Sequence, residues 1–168
     1  FPTRRSSDLD PNDEQTQFVL GEVYFHLRDW QHAVSSLSGA LKSSHEFQTW
    51  YYDALMLRGQ AYMELPNNLN RAYNDFVQAS KLRPLDPWPQ IRLCQVLGLD
   101  HKSEDAVVAC QQATRLAKDS ALAHYYLGWA LFQDSQWTAA EAEFEKALEL
   151  DPNLQAAQEW LAKTQTQE

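Results

Sequence analysis

The chain has 168 residues and a formal net charge of −9, long enough for one sizeable domain or a short repeat array. Hydrophobic residues at 44% and charged residues at 22% are the balance of a folded protein, not a disordered one. The acidity argues against nucleic acid as the main partner, because phosphate backbones are repelled, and the apolar runs are too short for a membrane span. Five glycines and seven prolines, set among abundant Ala, Leu, Gln and Glu, favour an all-helical chain. Cys94 and Cys110 show no CxxC spacing and leave the redox compartment open.

In chain order, residues 1–9 (FPTRRSSDL) are similar to the translation of a sequencing-adaptor oligonucleotide and are read as an artefact. Leu9-Asp10-Pro11-Asn12 matches Leu150-Asp151-Pro152-Asn153 in phase. Residues 10–13 are therefore expected to be the tail of an upstream repeat, making the chain a piece of a longer repeat protein. Residues 14–51 form the first repeat, with Leu20, Gly21 and Tyr24 followed by Ala33, Leu37 and Ala40. Ser43 and Glu46 then make a capping box, and the next helix is expected to start near Ser44 and run to about Leu65.

The second repeat, 52–86, carries Gly59, Ala61 and Tyr62, then Ala72, Phe76 and Ala79. The third, 87–120, has Leu93 and Cys94, then Ala106, Cys110 and Ala113. In the fourth, 121–154, the same slots hold Leu127 and Gly128, then Ala140, Phe144 and Ala147, with Leu131 and Pro152 completing it. Trp30 and Trp137 share one slot in the first and fourth repeats. Residues 155–168 begin another first helix, with Leu161-Ala162 in the phase of Leu127-Gly128, and read as a capping helix with Gln158, Glu159 and Lys163 outward.

This pattern resembles the tetratricopeptide repeat, a helix-turn-helix of about 34 residues. The resemblance implies an all-α, right-handed α-solenoid of helix pairs. Small residues at the glycine and alanine slots let antiparallel helices approach, larger ones fill the core at helical spacing, and Pro84 and Pro152 stop second helices. Cys94 in a glycine slot is expected to widen or tilt its helix pair. Cys94 and Cys110 are read as buried small side chains, with a disulfide the second reading.

No HExxH, Cys/His cluster, P-loop or nucleophile elbow is present. No catalytic residue, metal or cofactor is therefore assigned, and the chain is read as not an enzyme. Glu141, Glu143, Glu145 and Glu149 read as a solvated face, and His124 as packed or half-exposed. The resemblance implies binding along a concave groove lined by first helices. By phase these residues are Phe18, Glu22, Phe25 and His26, then Met56, Gln60, Met63 and Glu64. Trp88, Ile91, Gln95 and Leu99 follow, then Tyr125, Trp129, Phe132 and Gln133.

Relatives that clamp a peptide carboxylate use Lys, Arg and Asn at positions held here by Phe18, Glu22, Met56, Leu57, Trp88 and Arg92. The expected partner is instead a protein or peptide segment with apolar anchors and basic flanks. The expected role is a non-catalytic interaction scaffold; the alternative is the regulatory or docking region of a larger enzyme, such as a glycosyltransferase. RNA binding by a related helical repeat is disfavoured by the acidic groove. Oligomeric state is not legible, and compartment is open, with the cytoplasm the default.

Overall fold

The structure, a computed structural model, describes residues 13–42 and 49–167. Among the described residues it is all-α, with nine helices in chain order. The chain divides into two compact units, one running to Leu82 and the second starting at Arg83. The first unit holds α1 (Glu14–His26), α2 (Trp30–Ala40), α3 (Thr49–Met63) and α4 (Leu69–Leu82). The second holds α5 (Pro87–Leu99), α6 (Ser103–Leu116), α7 (Ala121–Gln133), α8 (Trp137–Leu150) and α9 (Gln155–Thr164). The capping box at Ser43 and the early helix start lie outside the described residues, and the helix that follows ends at Met63.

Local chemistry sets the boundaries. The carboxylates of Asp13, Asp29 and Asp86 and the hydroxyl of Ser120 accept backbone N–H groups in the first turns of α1, α2, α5 and α7, satisfying donors that a helix start leaves orphaned. Pro87 opens α5, where its missing N–H costs nothing. α4 and α8 end two residues before Pro84 and Pro152.

The turns joining paired helices share one feature. Arg28, Asn67, His101 and Ser135 all have φ near +60°, one per pair. The amides of Asp29, Lys102 and Gln136 reach back to the carbonyls of Tyr24, Leu97 and Leu131. This is the left-handed closure usually given to glycine, made here without it.

Packing follows the repeat slots. Ala33, Ala40, Ala72, Ala79, Ala106, Ala113, Ala140 and Ala147 are all buried. The tightest approach lies between a glycine on the first helix and a large residue on the second. A Cβ added to Gly21 would sit 2.5 Å from Leu37, one on Gly59 2.6 Å from Phe76, and one on Gly128 2.8 Å from Phe144. Leu37, Phe76 and Phe144 are fully buried, so each fills the hole its glycine leaves.

The third pair departs from the expectation. Cys94 and Cys110 are joined in a disulfide rather than packed as separate thiols. Their Cα atoms are 5.2 Å apart, so this slot ties α5 to α6 covalently. The physical reason is the slot itself: glycine and large positions are the closest points of paired helices, so two cysteines placed there fall within bonding reach.

Buried polar contacts add a second layer. Arg58, in the slot of Leu20, Leu93 and Leu127, donates from Nε and Nη2 to Asp75 at 2.9 and 2.7 Å, and from Nη1 to Ser38 Oγ at 3.3 Å. Burial pushes the Asp75 carboxyl above its ordinary value, against the opposing pull of Arg58. His124 is half-buried, with Nδ1 2.6 Å from Glu143 Oε2 and Nε2 2.9 Å from the Lys118 carbonyl. Glu143 is thereby tied to α7, while Glu145 and Glu149 are exposed as expected of a solvated face.

Two measurements test this packing. Gly128→Leu forces a side chain against Phe144 and the Ala140 carbonyl and is expected to cost about 1–3 kcal/mol by overpacking, read as a drop in denaturation midpoint. Asp75→Ala or Arg58→Leu alone strands a buried charge and should cost about 3–5 kcal/mol. The double variant reproduces the Leu93/Ala109 pair found at the same slots between α5 and α6, and should recover most of that loss.

Candidate functional site

In the first unit, the predicted groove residues are absorbed into contacts within the unit. Phe18 on α1 stacks on Trp50 of α3 at 5.8 Å between ring centroids, and Phe25 meets the Trp30 ring edge-on at 5.3 Å. Met56 is buried, and the Gln60 side-chain amide donates to the Met56 carbonyl at 3.1 Å. Glu22 and Met63 are half-buried.

The second unit differs. Ile91 is only 1% exposed and packs with Ala113 and Ala123 in the core, so it is removed from the predicted surface: its helix turn faces α6 and α7. Trp88 is 46% exposed at the start of α5. Between them and α7 runs a polar chain. Arg92 Nη1 donates to Gln95 Oε1 at 2.6 Å, and Gln95 Nε2 donates to the Tyr126 hydroxyl. Burial raises the Tyr126 and Tyr125 phenols above their ordinary values, which keeps both neutral.

Beyond this chain lies a cleft of about 570 Å³, bounded by Leu99 and His101 at the end of α5, Trp129, Phe132 and Gln133 on α7, Trp137 on α8 and Trp160 on α9. Its size suits an inserted side chain or a small ligand. Three indoles and a phenyl ring make its walls, and among the described residues no acidic, lysine or arginine side chain lines it. Phe132 meets Trp160 edge-on at 5.1 Å, which holds the α9 wall against α7. Gln133 Nε2 is buried and finds no acceptor among the described residues. Hydrogen bonds from Gln136 and Ser103 hold Asp134, between Gln133 and Ser135, below the usual carboxylate range.

The hole originates at Gly98. It stands one turn after Cys94, in the slot filled by Phe25, Met63 and Phe132 in the other helix pairs. The Trp129 ring lies against the vacancy, and a Cβ on Gly98 would be 2.3 Å from Trp129 Cζ3 and 3.1 Å from Gln133 Nε2. Of the predicted site residues, Trp129 and Phe132 meet at this cleft, with Leu99 and Gln133 beside them. Trp137, Trp160, His101 and Gly98 were not predicted; the missing bulk at Gly98 was the available signal.

Among the described residues no group of three or more His, Cys, Asp or Glu is placed to hold a metal ion, and no helix is long and apolar enough to cross a membrane.

The paired helices, the shared slots and the aromatic cleft define a helical-repeat protein. The family model of the tetratricopeptide repeat matches residues 121–154, and the chain has the tetratricopeptide-repeat fold. MamA 41-end from Desulfovibrio magneticus RS-1 is similar at a TM-score of 0.79 and 21% identity, over 92% of this chain and 84% of that one. The first TPR of Spaghetti (RPAP3), solved bound to the HSP90 peptide SRMEEVD, gives 0.66 at 21% identity, over 71% of this chain and 94% of its own. The Sgt2 TPR domain from Aspergillus fumigatus gives 0.68 at 22% identity, over 74% and 83%. No curated protein matches the sequence.

Gly98→Ala is expected to push the Trp129 ring out of its seat while leaving helicity unchanged or slightly higher, since alanine favours helix over glycine by about 1 kcal/mol. Near-ultraviolet circular dichroism and indole fluorescence should change with the far-ultraviolet signal intact. An unchanged indole environment would contradict the seating of Trp129 on Gly98.

Proposed function

We propose that the chain is a non-catalytic protein-interaction scaffold whose second unit receives an apolar anchor side chain of a partner segment in the aromatic cleft. The observation that carries this reading is the cleft itself: three tryptophans and a phenylalanine around a cavity with the unmatched donor Gln133 Nε2 at its edge. A buried donor without an acceptor is costly, and a carbonyl oxygen of an inserted segment relieves that cost. Aromatic walls supply the large, rigid contact area typical of interface hot spots.

Structural neighbours support protein binding in general, since one was solved with a bound peptide. That peptide, SRMEEVD, is acidic toward its end, whereas this chain carries a net charge of −9 and an ionised Asp134 beside the cleft. A partner with Lys or Arg flanking its anchor suits that field. Within the second unit, the predicted positions Trp88, Gln95 and Tyr125 are assigned to secondary contacts along the partner.

The test is calorimetry against peptides carrying an aromatic or leucine anchor with basic or acidic flanks. Basic-flanked peptides are expected to bind more tightly. Trp129→Ala should weaken that binding by roughly tenfold or more with the far-ultraviolet spectrum unchanged. Loss of helicity in Trp129→Ala would place the indole in the core instead, and equal binding by both peptide classes would remove the charge argument.

A further inference from the structure

Three of the four helix pairs close on a glycine opposite a large side chain; the pair α5 and α6 closes on the Cys94–Cys110 disulfide at the same slot. Both half-cystines are fully buried. We propose that this bond is the closing contact of its helix pair and that the neighbouring aromatic cleft is built on the oxidised chain, so that reduction opens the cleft. The part concerning binding rests on the function proposed above; the part concerning closure does not.

Volume and distance decide how the pair closes. Leucine or phenylalanine opposite glycine fills the gap between helices with a single side chain. Two thiols are smaller together than a buried ring, and once the sulfur–sulfur bond is broken they must separate from about 2 Å to van der Waals distance. The reduced pair needs more room than the bonded one and pushes the walls of the slot apart. No other large side chain occupies the slot to take over, since Cys94 and Cys110 are the two residues in it.

α5 lines the cleft, and α6 is bonded to the turn beside it. α5 ends in Gly98 and Leu99, on which the Trp129 ring and one wall depend. α6 begins at Ser103, whose hydroxyl donates to Asp134 Oδ1 at 2.8 Å. Movement between α5 and α6 therefore changes the seat of Trp129 directly. Reduction takes two electrons and two protons from an external dithiol, which becomes a disulfide, and leaves two thiols on the chain. A bond of this kind persists in an oxidising compartment and is rare in a reducing cytosol, so the binding-competent form belongs to an oxidising setting.

The test uses the full chain, oxidised in air or refolded in dithiothreitol. Alkylation in denaturant followed by mass measurement is expected to add no label to the oxidised chain and two labels after reduction. Reduction should lower Tm by roughly 10 °C, from the loop the bond closes and the size of the chain, and change the near-ultraviolet indole signal. Cys94→Gly/Cys110→Phe, which restores the pair used at Gly59/Phe76 and Gly128/Phe144, should fold, keep its indole signal and ignore reductant.

Two labels without prior reduction would overturn the proposal, as would equal Tm and indole spectra in the two redox states. A double variant that fails to fold would overturn the equivalence of the slots. A Tm shift with no change at the indoles would overturn the link to the cleft. None of these readings needs a partner, so their failure is separate from failure of the binding function.

Discussion

The structure depends on how closely the two helices of a pair can approach at one slot. Where glycine faces Leu37, Phe76 or Phe144, a single added carbon would meet the opposing side chain at 2.5 to 2.8 Å, well inside van der Waals contact. That contact fixes the rotation of each first helix about its own axis. Rotation in turn decides where the residues one step and one turn further on are placed. Glu22, Gln60, Gln95 and Trp129 hold the first of these positions, and Phe25, Met63, Gly98 and Phe132 the second. The cleft is thus a downstream consequence of the closing slot: a fixed helix presents one position with no side chain, and Trp129 lies across the gap.

Polar side chains inside the pairs narrow the arrangement further. Asp75 and Glu143 stand in the same slot, immediately before Phe76 and Phe144, and each reaches across to the first helix, one to Arg58 and the other to His124. Hydrophobic packing alone tolerates sliding of one helix along another, because apolar contacts are non-directional. A bidentate guanidinium–carboxylate pair does not, since both bonds must be kept in register. The pair between α5 and α6 has Leu93 and Ala109 at the slots of Arg58 and Asp75, and there a covalent bond one residue along each helix serves the same end.

Much of this fold was legible because repetition converts a weak local signal into a strong one. Single Ala or Gly residues say little; the same small residue at the same phase, Ala33, Ala72, Ala106 and Ala140, reports a close helix contact. Helix ends at Pro84 and Pro152 were readable for similar local reasons. What escaped was anything set by the distance between two slots rather than by the character of one. The cysteines were each recognised as occupying paired positions, yet their bonding depended on the 5.2 Å approach of the backbones.

Arg58 in a leucine slot gave no hint that Asp75 waited opposite it. The left-handed residues Arg28, Asn67, His101 and Ser135 share no side-chain chemistry, so no residue type marked the turn. Phase transfer also treated all first-helix positions as equally open. It placed Ile91 on the surface, whereas the core with Ala113 and Ala123 takes it, and it omitted Trp160 because α9 was read only as a polar seal.

On the proposed function, affinity and selectivity come from different parts of the site. Among the described residues the lining of the cleft is uncharged, so its contribution is desolvation of apolar surface and acts mainly on how slowly a bound segment leaves. The field of the acidic chain and of Asp134 lies outside that lining and acts on encounter and on the choice of flanking residues, an effect that salt screens. Added salt should therefore slow association while leaving the residence of the anchor nearly constant. The disulfide adds a third control of a different kind. It alters neither charge nor apolar area but the fraction of chains in which Gly98 and Trp129 are correctly seated, and apparent affinity scales with that fraction.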